Sequence, residues 1–134
     1  MKTSSFFLFA ATFLAACNSS PEKQAEAVVS EYVSNRLDSP ADYRAEKFDT
    51  KPYTRQDSAA YAASVARLNA SGSTPAPAAV PQVANGTAQI GTFVRHSYRE
   101  QTKDGDVRRD SGEFVVSPKG DVIELIPSYR LKAR

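Results

Sequence analysis

The chain has no tryptophan, one histidine (His96) and one cysteine (Cys17). Each shortage removes a class of chemistry. A single cysteine permits no internal disulfide, so packing alone must hold the fold. One histidine and one cysteine cannot build a Cys/His metal cluster. No Ser-His-Asp or Cys-His pattern arises at a spacing that suggests nucleophilic catalysis. No glycine-rich phosphate loop follows a strand pattern, so neither a metal nor a cofactor is expected. After residue 16 the chain has no apolar run that approaches the roughly 20 residues needed to cross a bilayer. It also lacks an excess of one charge: 17 Lys and Arg stand against 15 Asp and Glu, and the signs alternate. A nucleic-acid surface needs a one-sided basic stripe, so a nucleic-acid partner is not expected.

What is present begins at the N-terminus. Lys2 precedes the apolar run Phe6 to Leu14, and Ala15 and Ala16 precede Cys17. A charge, a short apolar stretch and small residues before a cut describe a secretory signal. The four residues Leu14-Ala15-Ala16-Cys17 resemble the bacterial lipobox and match it at every position. The resemblance implies a signal peptide over residues 1–16, with Cys17 as the lipid-modified first residue of the mature chain. It further implies a short lipidated tether over 17–20 and a location in the cell envelope. Two or three acyl chains anchor stably where one holds only marginally. Asn18 stands where an inner-membrane retention signal would place Asp, which by analogy directs the expectation to the outer membrane.

Residues 21–134 then form one small α+β domain. Four of the seven phenylalanines (Phe6, Phe7, Phe9 and Phe13) lie in the signal segment. The core must therefore be thin, built of Val, Ile, Leu, Ala and Tyr around Phe48, Phe93 and Phe114. Ser20-Pro21-Glu22 reads as a helix start, and Ala25, Val28, Val29, Tyr32, Val33 and Leu37 follow on one face, so the first helix is expected over 21–37. Residues 43–48 read as either a fourth, short edge strand or an extended connector. Thr54 and Asp57 suggest a capping box opening an Ala-rich second helix over 55–70. Residues 71–87, with three prolines and no Leu, Ile or aromatic, read as a flexible Pro/Ala-rich loop or linker within the domain, with little to bury. The remainder reads as a three-stranded antiparallel meander.

Two turns fix the register of that meander. Lys103-Asp104-Gly105 and Pro118-Lys119-Gly120 each fit a three-residue hairpin loop with glycine in the left-handed region. The register sets Glu100 against Arg108, Arg95 against Glu113, Val94 against Phe114, Phe93 against Val115, Val116 against Val122 and Val115 against Ile123. It also sets Arg99 against Arg109, a like-charge pair that does not fit. One face collects Val94, His96, Tyr98, Phe114, Val116, Val122 and Ile126 and should meet the first helix, with Glu124 at its margin. The other collects Phe93, Val115, Ile123 and Leu125 beside Arg95 and Arg99, and the second helix should cover part of it.

Leu37-Asp38-Ser39-Pro40-Ala41-Asp42-Tyr43 and Val94-Arg95-His96-Ser97-Tyr98-Arg99 resemble motifs of a group of small bacterial envelope lipoproteins. There a helix closes on a Leu-x-x-Pro-x-Ser-Tyr-like motif and a later hairpin carries His-x-Tyr-Arg. Asp42 stands where that group has Ser, and the resemblance implies fold rather than activity. The order of elements alone is also similar to the small lipoprotein accessory of the outer-membrane barrel-assembly machine, without that family's Gly-containing turns between the helices, and a role as an assembly accessory stands as an alternative. The favoured expectation is a non-enzymatic binding or scaffolding domain with an envelope protein partner. Tyr98, Arg99 and Arg95 are its candidate binding residues, because Tyr and Arg concentrate in interface hot spots. His96 is expected as a hydrogen-bonded sheet residue. The rival is a small envelope hydrolase that uses carboxylates of the 103–113 hairpin region (Asp104, Asp106, Asp110 and Glu113). The basic end, Arg130, Lys132 and Arg134, reads as a solvated tail.

Overall fold

The computed structural model describes residues 19–70 and 79–131, so Cys17 and the end from Lys132 lie outside the described residues. In chain order the elements are helix α1 (Pro21–Ser34), a 3-10 turn (Pro40–Asp42), strand β1 (Arg44–Thr54), helix α2 (Arg55–Asn69), strands β2 (Gln89–Gln101), β3 (Val107–Val116) and β4 (Val122–Leu125), and a short helix α3 (Ser128–Leu131). The strands form one antiparallel sheet in the order β1-β2-β3-β4.

Local chemistry sets most of these boundaries. The Ser20 hydroxyl accepts from the Lys23 N–H and caps α1, with Pro21 at the first helical position. α1 ends three residues earlier than the apolar pattern suggests. The Arg36 and Leu37 amides bond to Val33 and Ser34, three residues back, so the last turn tightens out of α-geometry. α2 opens on a complete capping box: Asp57 N–H donates to the Thr54 hydroxyl, and the Thr54 backbone N–H donates to the Asp57 carboxylate. Both hairpin loops are as expected. Gly105 and Gly120 have φ of 86° and 91°, and their amides bond back to Thr102 and Ser117. Every β2–β3 and β3–β4 pair that the turns imply is present, including Arg99 against Arg109.

The core has two layers, one on each face of the sheet. Ala25, Val29 and Val33 of α1 pack on Val94, Phe114 and Val116, with Tyr43, Phe48, Tyr98 and Val122 around them. On the opposite face Tyr53, Val115 and Leu125 pack with Phe93 and with Tyr61 of α2. Ile126, expected on the α1 face, lies past the end of β4 and belongs to neither cluster.

Three expectations change in extent or detail. Of the two readings of residues 43–48 the edge strand holds, but it is longer than expected: Tyr43 caps the 3-10 turn, and residues 44–48 open the 11-residue strand β1 that pairs with β2, so the sheet has four strands. A third helix, α3, follows Pro127 and takes up Arg130, which is therefore no part of a frayed tail. The segment read as a 71–87 loop is anchored in its described part, 79–87. The Gln56 side chain donates to the Pro81 carbonyl and accepts from the Val83 N–H, both at 3.2 Å. Val83 is half-buried beside Ala59, Ala62 and Ile90. Gln56→Ala should cost about 1–2 kcal/mol, the worth of two exchanged hydrogen bonds. Hydrogen exchange at the Val83 amide is the direct reading: protection should fall there while that of Val94 stays.

Candidate functional site

The residues singled out in the sequence divide between the two faces, because neighbours along a strand point to opposite sides. His96 and Tyr98 face α1, whereas Arg95 and Arg99 face the other way.

His96 is fully buried. Its ring stacks on Phe48 with centroids 4.1 Å apart and planes 5° from parallel, and Tyr43 and Tyr98 close its sides. Nδ1 lies 3.0 Å from the Lys47 carbonyl, which can only accept, so Nδ1 carries the proton. Nε2 is left to accept the Tyr43 hydroxyl at 2.6 Å. Burial pushes the imidazole below its ordinary pKa, and the bond to Lys47 opposes that only in part. Burial likewise pushes the Tyr43 and Tyr98 hydroxyls up, and the Asp110 and Glu100 charges add to it at Tyr98. A neutral histidine with both nitrogens engaged and no solvent contact holds β1 to β2; it has no route to a substrate.

Glu113 is buried on the opposite face. Its Oε1 accepts from Arg95 Nη2 at 2.9 Å and from the Ser128 hydroxyl at 2.8 Å, and its Oε2 accepts from the Ser128 N–H at 3.0 Å. The carboxylate thus docks the start of α3 against β3. Asp110 faces Tyr98 on the α1 side and bonds to the Ser111 N–H. Asp110 and Glu113 therefore point to opposite sides of the sheet, as do His96 and Glu113, and Asp104 and Asp106 lie exposed in the hairpin turn. The carboxylates considered for a hydrolase are not brought together. Among the described residues no group of three His, Cys, Asp or Glu side chains could hold a metal ion. No described helix is long and apolar enough to cross a membrane.

Of the three binding candidates, Tyr98 is half-buried among the aromatics around His96 and separated by the sheet from the two arginines. Arg95 is tied to Glu113. Arg99 is exposed and lies at the centre of a cationic row: Arg44 of β1 faces it on one side and Arg109 of β3 on the other. The next row along the strands is Lys47, Ser97 and Ser111. Among the described residues one carboxylate is within ion-pair distance of this row. Glu46, the extra residue of a β-bulge between Ala45 and Lys47, extends across β2 to Arg109 at 3.3 Å.

Arg44 and Glu46 escape a reading of the sequence as site residues, because the pattern of β1 reveals only half of that strand. The unfavourable Arg99–Arg109 pair is the signal that points to them. No protein-family model, no curated protein and no solved structure matches the chain.

Proposed function

We propose that this protein is a lipid-anchored, non-enzymatic binding or scaffolding domain of the bacterial cell envelope, held in the outer membrane through Cys17. The observation that carries the reading is the Leu14-Ala15-Ala16-Cys17 motif only three residues before the Ser20 helix cap. A tether that short holds the domain against the surface that bears the lipid. Support for binding over catalysis comes from the engaged state of the reactive side chains: His96 serves the β1–β2 seam and Glu113 the α3 dock. Both carry structural loads, whereas the cationic face is open to solvent.

Cys17→Ser tests the anchor. The variant should accumulate as unprocessed or released protein and leave the membrane fraction in a carbonate wash. Mass spectrometry of the wild-type N-terminus should find an acylated Cys17 as the first residue. A wild-type chain that begins elsewhere, or a serine variant that stays membrane-bound, would end this reading.

A further inference from the structure

The geometry points to the Arg44–Arg99–Arg109 row as a docking surface for an acidic protein segment, one that presents several carboxylates along an extended chain. This rests on the reading of the protein as a binding domain and names the chemistry of its partner.

Like charges directly opposite one another in a sheet destabilise it. Here three arginines are Cα partners in register on adjacent strands, which lie about 4.8 Å apart, so the row spans about 10 Å. Arg44 donates to the Ala41 and Tyr43 carbonyls, neither of which neutralises its charge. Arg109 has Glu46, and Arg99 has no ion-pair partner among the described residues. An arrangement that costs stability in the isolated domain is relieved when an anion binds.

The row and the Lys47, Ser97 and Ser111 positions beside it supply guanidinium, ammonium and hydroxyl donors, and Glu46 is the one carboxylate among them. A donor-rich face calls for an acceptor-rich ligand, and guanidinium pairs with carboxylate in a planar, two-bond fashion. Glu46 already shows the attraction, since its carboxylate reaches from β1 across β2 to a single contact with Arg109 Nε at 3.3 Å.

The face is open, so a single small anion would not be enclosed, whereas an extended chain can span it. Alternate side chains of such a chain project to one side about 7 Å apart, and two of them match a row of long arginines about 10 Å across. α1 starts at the other end of the sheet, beside Gly91 and the Val116 to Gly120 turn. Eight residues of strand separate Gly91 from Arg99, about 27 Å. The row therefore stands well away from the end at which the proposed anchor joins, which favours a protein partner over the headgroups of the anchoring membrane.

The test uses the full-length protein in non-ionic detergent, with fluorescently labelled poly-L-glutamate as the probe and anisotropy at low salt as the readout. Arg99→Glu and Arg109→Glu should each weaken binding at least tenfold. Lys119→Glu, the same charge change in the distant β3–β4 turn, should alter it less than twofold. Glu46→Gln should tighten binding several-fold by removing the competing carboxylate. Arg99→Thr should weaken binding while leaving the melting temperature unchanged or raised at low salt. Equal losses from Lys119→Glu and Arg99→Glu would reduce the effect to net charge and overturn the proposal. So would a fall of more than a few degrees in the melting temperature of Arg99→Thr, which would make the row structural. Row-dependent binding to vesicles containing phosphatidylglycerol, without row-dependent binding to poly-L-glutamate, would assign the surface to lipid instead. The N-terminal mass reads the anchor independently, so either proposal can fail alone.

Discussion

Phe114→Ala should destabilise the domain by about 3–5 kcal/mol in a urea titration, the usual cost of deleting a buried phenylalanine. Phe114 is 3 % exposed and meets Tyr32 of α1 edge-on, with ring centroids 5.8 Å apart. With no tryptophan and few phenylalanines in the domain, this ring is a large share of what α1 packs against. Its other side lies over Gly112, where an added Cβ would come within 2.5 Å of Phe114 Cζ. Gly112→Ala should therefore also destabilise, by about 1–3 kcal/mol, since the ring has no room to retreat in a filled layer. That penalty should shrink in a Phe114→Leu background, because the clash partner is then gone. Glu124→Ala should stay within about 0.5 kcal/mol of wild type, for Glu124 is half-exposed and its ion pair with Arg36 spans 3.8 Å. A near-neutral Phe114→Ala would contradict the assignment of the sheet's faces.

The second large effect is expected at His96. His96→Ala removes a fully buried ring from a stack with Phe48 and leaves the Tyr43 hydroxyl and the Lys47 carbonyl without their partner. A cost of about 3 kcal/mol or more follows from the cavity and the orphaned polar groups together. The same residue makes wild-type stability depend on pH. Burial holds the folded imidazole below its unfolded value. As pH falls through about 6.5 the unfolded chain takes up a proton that the folded chain resists. Stability from this group is therefore complete above that pH, declines as pH falls toward the depressed folded value, and is level below it. Because His96 is the chain's one histidine, His96→Gln should flatten the profile between about pH 5 and 7. Urea titrations at several pH values would read both slopes, and a wild-type profile as flat as the variant's would mean that the folded imidazole protonates freely.

Much of the fold is legible in the sequence because its instructions are local. The Ser20 and Thr54 caps and the two glycine turns each act within four residues, and the first turn alone sets ten cross-strand pairs between β2 and β3. What escapes depends on distant residues or on a broken pattern. β1 alternates as a strand should, but the bulge at Glu46 shifts the alternation: Tyr43 and Ala45 precede it on one parity, and Phe48 and Thr50 follow on the other. Pro52 and four charges from Arg44 to Asp49 further disguise it. α3 is four residues long and exists against the Glu113 carboxylate, 15 residues before Ser128 in the chain, so no local signal announces it. The site is legible to the same degree. Arg95 and Arg99 emerge as neighbours on one face, and Tyr98 groups with them by sequence although strand parity places it on the other side. Arg44 and Glu46 become visible only once β1 is paired.

The irregularities of β1 have a further consequence, for the company the protein can keep with its own kind. β1 is a long strand at the border of the sheet, and such a border offers unpaired backbone groups to any strand that arrives. Pro52 supplies no N–H there, the bulge at Glu46 breaks the straight line, and Lys47, Asp49 and Lys51 would each have to be aligned beside an incoming copy. The opposite border, β4, is four residues long and stops at Pro127 two residues on. Copies fixed side by side on one surface, as the proposed anchor would fix them, collide far more often than copies in dilution. Both borders thus carry features that oppose the growth of such collisions into a continuous sheet.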